Sequence, residues 1–199
     1  MKKLIFVVLI LSSIGLSGWL FNNRYTIEQK QSVAKLNDKQ ETTAVTAEQG
    51  PNDSDPAILT SSTNDLLLYL IEEEKLAHDI YTKMYEKYGE RVFGNILRSE
   101  STHQERVLTL LNARGVADPR SSEIGVFANV ELQNLYNDLL VKGLVSEKDA
   151  LEVGVIIEEK DIADIGDMLA EATDQDVIDI LEDLRKGSEN HLRAFNRQL

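Results

Sequence analysis

The residues of this sequence best suited to chemistry are Glu74, Glu100, His103, Glu158, Asp161 and His191. Carboxylate oxygen and imidazole nitrogen are the donors that hard and borderline metals take, with iron the leading case and manganese or zinc as alternatives. Glu100-Ser-Thr-His103 has the i, i+3 spacing that sets both side chains on one helical face. Both can then reach one metal while the Glu bridges to a second. The chain holds 34 acids and three His in 199 residues. One acid three places before a His is therefore close to what chance supplies, and the motif needs support from the elements around it.

Those elements read as helices. Thr63 or Asn64 is placed to cap a helix running to about Lys87, with Leu66, Leu70, Ala77, Ile80, Tyr81 and Met84 at three–four spacing. Gly89 ends it. A second runs from about Arg91 to Ala113, with Phe93, Ile96, Leu97, Val107, Leu110 and Leu111 inward and Gly115 as its stop. Asn129 caps a short helix through Leu132, Leu135, Tyr136 and Leu139, closed by Gly143. Ser146-Glu-Lys-Asp149 resembles a capping box, with Asp in place of the usual Glu or Gln, and opens a helix from Glu147 to about Ala170. Thr173 or Asp174 caps the last helix, which runs nearly to Leu199. The first two long helices, and the last two, are joined by short links, so each pair should be an antiparallel hairpin. The stretch between the pairs is long enough to cross the length of a bundle. The expected fold is all-α: a ferritin-like four-helix bundle of two hairpins, joined by a long crossover that contains the short helix.

The inward stripes tell where the chemistry sits. They pass through Leu66, Leu70, Glu73 or Glu74, Ala77, Tyr81 and Met84; through Ile96, Glu100, His103, Val107 and Leu110; through Leu151, Val155, Glu158, Ile162, Ile165 and Leu169; and through Val177, Leu181, Leu184, Ser188, His191 and Phe195. Each is apolar except for one interruption by a carboxylate, a His or both. A buried, uncompensated ion costs several kcal/mol, so acids gathered in one core point to cations that offset them. A metal-free bundle with these groups on a solvated flank is the competing reading. His78 lies at the edge of its stripe and reads as exposed or beside the site. Glu105, Asp179 and Glu182 read as solvated faces.

Composition sets outer bounds. A net charge of −13 argues against nucleic acid as a partner, because phosphate contacts need a surplus of Lys and Arg. The absence of Cys excludes disulfides, iron–sulfur clusters and thiolate zinc sites. Met1-Lys-Lys3 followed by the apolar run Leu4 to Phe21 reads as a single-pass membrane anchor or a signal peptide over residues 1–23, with the rest of the chain exported. Residues 24–63 are rich in Gln, Thr, Ser, Asn and Asp and read as a disordered tether, leaving 64–199 for the bundle.

The motifs carry a resemblance. Glu74-Lys-Leu-Ala77-His-Asp-Ile-Tyr81 resembles the first-helix Glu-x-x-Ala-x-x-x-Tyr of rubrerythrins, Glu100-Ser-Thr-His103 matches their second-helix Glu-x-x-His, and Glu158-Glu-Lys-Asp161 resembles their third-helix acids. More closely, Glu72-Glu-Glu-Lys-Leu-Ala, Ser99-Glu-Ser-Thr-His, Gly125-Val-Phe, Ile157-Glu-Glu-Lys-Asp-Ile-Ala-Asp and Asn190-His-Leu-Arg-Ala-Phe195 are similar to a ferritin-like prokaryotic family catalogued as domain of unknown function 2202. The likeness spans about Asn64 to Gln198. It implies the bundle strongly and its chemistry only weakly.

One position departs from the rubrerythrin-like pattern. Ser188 stands three residues before His191, where the fourth helix of such proteins places Glu. Asp161 or Glu159 would have to supply the missing carboxylate, and a site for one ion instead of two is the variant this opens. Without Cys, a rubredoxin-like electron relay within the chain is excluded. The resulting expectation is an exported metal-binding bundle that oxidises ferrous iron with oxygen or peroxide. The alternative is a non-catalytic module that buffers or senses metal or binds a partner. Pairing with a second copy stays open.

Overall fold

A computed structural model of the chain describes residues 56–199, with side chains from Thr63 onward. Five helices follow in order: α1 (Pro56–Tyr88), α2 (Arg91–Ala113), α3 (Val130–Gly143), α4 (Glu147–Glu171) and α5 (Gln175–Asn196). No strand occurs among the described residues. The expectations for residues 1–23 and for most of 24–63 lie outside the described residues. No helix among the described residues is long and apolar enough to cross a membrane.

Most helix boundaries follow the residues that punctuate the sequence. Asn129 accepts from the N–H groups of Glu131 and Leu132 at the start of α3, and Ser146 accepts from Asp149 N–H at the start of α4. The capping box there is one-sided, since the Asp149 carboxylate accepts a hydrogen bond from the Ser146 hydroxyl and not from its backbone N–H. Asp174 is the N-cap of α5, without a side-chain capping bond. Gly89 and Gly115 follow α1 and α2 at positive φ, 72° and 67°. The exception is α1, which begins at Pro56, ahead of Thr63. Proline is favoured at a first helical position, where the N–H it lacks would have no partner.

The helix order around the bundle is fixed by which pairs touch. α1 packs on α2 and α4, and α5 packs on α4 and α2, so α1–α2–α5–α4 closes a ring, while α3 lies against α1 and α4. Side-chain pairs set the directions. Glu74 meets His103, Tyr81 meets Glu158 while Tyr69 meets Asp164, and Ser188 meets Asp161. Arg106 meets Asp183 while Arg114 meets Asp176. For α1 with α4 and α2 with α5 the numbers run in opposite senses, and the short links make α1 with α2 and α4 with α5 antiparallel hairpins, so ring neighbours are antiparallel and the diagonal pair α2 and α4 is parallel. Parallel helices in sequence need a crossover, which residues 114–146 provide.

That crossover is clamped to α1 by buried charges. The Glu72 carboxylate accepts from the N–H groups of Ala128 and Asn129, at 2.6 and 2.7 Å. Lys75 donates to the carbonyl of Glu123 at 3.0 Å and to Asp79, and stands over the Phe127 ring. Asp79 accepts from Gly125 N–H at 2.8 Å. Gly125 has φ 80°, and a Cβ there would sit 2.6 Å from Tyr136, so both backbone and packing require glycine.

The core divides into two apolar clusters. One holds Ile80, Tyr81, Met84, Phe93, Ile96, Leu151 and Phe195. The other holds Leu67, Leu70, Ile71, Val107, Leu111, Ile165, Leu181 and Leu184. All four long helices place buried polar residues between them in sequence, among them Glu74, Glu100, His103, Glu158, Asp161, Ser188 and His191. The expected inward stripes of α2 and α5 are buried, as predicted. On α4 the buried face runs through Leu151, Gly154, Glu158, Asp161, Ile165 and Met168, whereas Val155, Ile162 and Leu169 are half-buried. Gly154 explains the rotation: a Cβ there would stand 2.6 Å from the Phe195 ring, so α4 turns its glycine inward to admit the aromatic.

Candidate metal centre

Each candidate ligand is carried by a helix whose apolar face forces it inward. Between the two apolar clusters the same face must continue, so whatever occupies it is buried. Glu74, Glu100 and Glu158 are each no more than 2% exposed, and Asp161 6%.

Glu100 lies at the middle. His103 Nδ1 is 3.3 Å from Glu100 Oε2, and His191 Nδ1 is 2.9 Å from Glu100 Oε1. His103 Nδ1 also bonds to Glu74 Oε2 at 3.0 Å. His191 Nδ1 lies 3.5 Å from Glu158 Oε2, and Glu158 Oε1 accepts from the Tyr81 hydroxyl at 2.6 Å. The result is two triads, Glu74–Glu100–His103 and Glu100–Glu158–His191, sharing one carboxylate. Within each, the donor atoms all lie within 4.8 Å of one another. The two imidazoles are stacked, with centroids 5.6 Å apart.

Several of these atoms lack hydrogen bonds. Glu74 Oε1, Glu100 Oε1, Asp161 Oδ1 and His191 Nδ1 are buried without a hydrogen-bond partner. The 2.9 Å approach of His191 Nδ1 to Glu100 Oε1 therefore lacks the alignment of a hydrogen bond. Unpaired buried polar atoms are uncommon in proteins, and here they are four donors of the kind that metals take. Metal–oxygen and metal–nitrogen bonds of about 2.0–2.2 Å fit between atoms spaced in this way. The groups can hold a metal ion, and the donor set suits a divalent one.

The electrostatics of the metal-free protein show how crowded the charge is. Burial pushes Glu74 well above the usual carboxylate range, against the pull of His103. Burial likewise raises Asp161 strongly, with Glu74, Glu73 and Glu158 adding to the effect. Glu158 is pushed up to about 7, by burial first, with His191 pulling it back and Glu100 pushing further. Glu100 is the exception. Burial opposes its charge, but His103 and His191 together hold it well below the ordinary value. Both imidazoles keep their protons in return. Although burial works against it, Glu74 and Glu100 raise His103 to about 11, and Glu100 and Glu158 raise His191 to about 9.

All six residues expected from the sequence are thus buried. Five form the two triads. Asp161 is buried beside them, accepting the hydroxyl of Ser188, the residue that stands where a fourth-helix Glu was expected. Glu159 is exposed and takes no part. Of the Glu73 or Glu74 pair, Glu74 faces the triads, while Glu73 is engaged by Lys160 at 2.8 Å. His78 is half-buried at the edge, 3.4 Å from Asp79, and Glu105, Asp179 and Glu182 are exposed. Sequence reasoning missed the polar network behind the site, in which Lys160 ties Glu73, Tyr69 and Asp164 together. The three–four spacing of Lys160 and Asp164 was its only signal.

The comparisons with known proteins agree with the five motifs. The family model described as Uncharacterized protein domain (DUF2202) matches residues 63–199. Uncharacterized protein MJ0754 of Methanocaldococcus jannaschii is 44% identical over 134 residues, 67% of this chain and 72% of the relative. The crystal structure of hypothetical protein MJ0754 from Methanococcus jannaschii resembles this fold with a TM-score of 0.68 and 38% identity, covering 78% of this chain and 85% of that one. With more than half of its length matched by the family model, the chain belongs to the family described as Uncharacterized protein domain (DUF2202).

Proposed function

We propose that this is a ferritin-like metal protein that binds two divalent cations, iron in the first place, and oxidises ferrous iron with peroxide or oxygen. The observation that carries this reading is the pair of buried triads sharing Glu100, in which Glu74 Oε1, Glu100 Oε1 and His191 Nδ1 are left without hydrogen bonds. Charge supports two ions. The four carboxylates Glu74, Glu100, Glu158 and Asp161, all ionised, are balanced by two divalent cations with both imidazoles neutral. Two ferrous ions side by side would give one electron each to a peroxide, which takes up two protons and leaves as two waters.

The chain's own groups would do the rest. Glu100, common to both triads, would serve either cation, and His103 and His191 would each offer Nδ1 to the triad it belongs to. Tyr81 holds one oxygen of Glu158, leaving the other for an ion. Asp161, held by Ser188, is the carboxylate closest in role to the absent fourth-helix Glu. The two apolar clusters above and below keep bulk water from the layer.

Anaerobic loading of untagged protein with ferrous iron, followed by removal of free ion and elemental analysis, tests the reading. Two irons per chain, turned ferric on adding peroxide, are expected. No bound metal would overturn it, and metal held without any oxidation would favour the buffering or sensing module. The placement outside the cytoplasm, anchored through residues 1–23, is part of the proposal and rests on sequence alone. Protease added to cells with a permeable outer layer should remove the bundle, and a protected cytosolic bundle would refute that topology.

A further inference from the structure

His103 faces Glu74 and Glu100 through Nδ1, and its other nitrogen leads to two residues that have no part in the triads. Nε2 lies 3.4 Å from Ser99 Oγ, one turn earlier on α2. The ring also rests against α5 at Gly187. A Cβ at that position would stand 2.6 Å from His103 Nε2 and 2.7 Å from Cε1, closer than real Cβ contacts come, so any other residue would move the ring. Gly187 lies inside α5, away from both ends, and is not among the positive-φ glycines. Its backbone therefore does not call for glycine, which is unfavourable in a helix interior. The seat of the imidazole is the reason left.

We propose that Gly187 and Ser99 are positioning residues that seat His103 with Nδ1 towards Glu74 and Glu100. A neutral imidazole has one protonated and one bare nitrogen, and the hydrogen bond at one decides which is free to ligate the metal. With the ring protonated at both nitrogens in the metal-free protein, Nε2–H faces the Ser99 hydroxyl oxygen, and when a cation takes the place of the Nδ1 proton this contact would keep the remaining proton on Nε2. Gly187 provides the space in which that ring orientation fits between α2 and α5. The seating itself needs no metal. Its consequence for ligation rests on the two-cation reading above.

The test uses the full chain labelled with nitrogen-15 in histidine, with zinc as a diamagnetic probe. In the metal-free parent, a nuclear Overhauser effect between His103 Hε1 and the Gly187 α-protons is expected. Its absence overturns the seating. With zinc, the parent should show His103 bound through Nδ1 and protonated at Nε2. Gly187→Ala should keep the helical content and the His191 signals but lose the His103 zinc signature and about one zinc per chain. Ser99→Ala should keep the fold and weaken zinc about tenfold at the His103 triad, in the range seen when partners of metal-bound His are removed, and Ser99→Thr should restore it. A folded Gly187→Ala with the parent's His103 signature and zinc content overturns the proposal. So does a Ser99→Ala protein indistinguishable from the parent, which decides the matter if Gly187→Ala does not fold. A parent that takes up no zinc removes the cation reading, while the metal-free Overhauser contact still decides the seating.

Discussion

Glu100 is the residue on which both triads depend, so its removal should abolish both cation positions together. In the parent, a cation present at 100 times its dissociation constant stabilises the folded state by about 2.7 kcal/mol per site, or about 5 kcal/mol for two independent sites. A domain of this size gains roughly 2–4 °C in Tm per kcal/mol. Manganous ion in place of chelator should then raise the parent's melting temperature by roughly 10–20 °C. Glu100→Ala has a second effect, because the carboxylate stands between two imidazoles, 2.9 and 3.3 Å away, and both are protonated in the metal-free protein. Breaking a buried ion pair costs about 3–5 kcal/mol, so the variant should also melt lower in chelator. The informative quantity is therefore the metal-induced rise within each protein, from which that cost cancels. Scanning calorimetry with and without manganese should show most of the rise gone in Glu100→Ala. Glu100→Gln, which keeps the shape, serves if the alanine variant is unfolded in chelator. A variant that keeps half or more of the parent's rise would refute the shared-ligand geometry.

Other changes should read out separate parts of the structure. Asp161→Asn should lower metal content from about two ions towards one with the fold intact, and Ser188→Glu in that background should restore it; elemental analysis decides, and an unchanged count removes Asp161 from the site. In chelator, the groups displaced upward include His103 to about 11, His191 to about 9, Glu158 and Glu73 to about 7, and Glu74 and Asp161. Each contributes stability that is complete below its unfolded value and lost as pH rises to its folded value; Glu100, displaced downward, changes only below the ordinary carboxylate range. The urea midpoint of the chelated protein should fall between pH 6.5 and 9, whereas with manganese it should hold or rise because bare donors bind the ion; parallel slopes would contradict this. Gly154→Ala should cost about 1–3 kcal/mol in urea unfolding by overpacking against Phe195, and a neutral result would show that α4 can rotate away.

How much could be read in advance depended on how many neighbours each residue has. Asn129, Ser146, Gly89 and Gly115 act locally, and the boundaries they mark were legible. The faces of α2 and α5 were legible because each helix buries one stripe, with exposed charge around the rest. On α4 the phase was off by one residue at Val155, Ile162 and Leu169, because the ring of Phe195, far along the chain, selects Gly154 for the inward side. That same rotation brings Asp161 inward, which periodicity alone left undecided. Burial of Glu72, Lys75 and Asp79 was not legible, since charged residues read as solvated until a crossover is known to lie over them.

The run Glu72-Glu73-Glu74 shows why a central helix resists such reading. Successive residues of an α-helix point about 100° apart, so three neighbouring glutamates cannot serve one purpose. Glu72 is turned to the crossover and accepts two backbone N–H groups. Glu73 is turned to α4 and paired with Lys160, and burial still pushes it up to about 7. Glu74 alone is turned to the triads. Each side chain is almost wholly buried, which is costly unless every one finds a partner of its own. Two have protein partners that hold both the crossover and α4 against α1. The third shares an imidazole and keeps one oxygen unpaired. Glu73 and Glu74 each keep one buried oxygen without a hydrogen bond, but Glu74 is the one that stands beside a second carboxylate and an imidazole whose donor atoms lie within 4.8 Å of its own, so the layer where four helices converge is where a cation has something to bind.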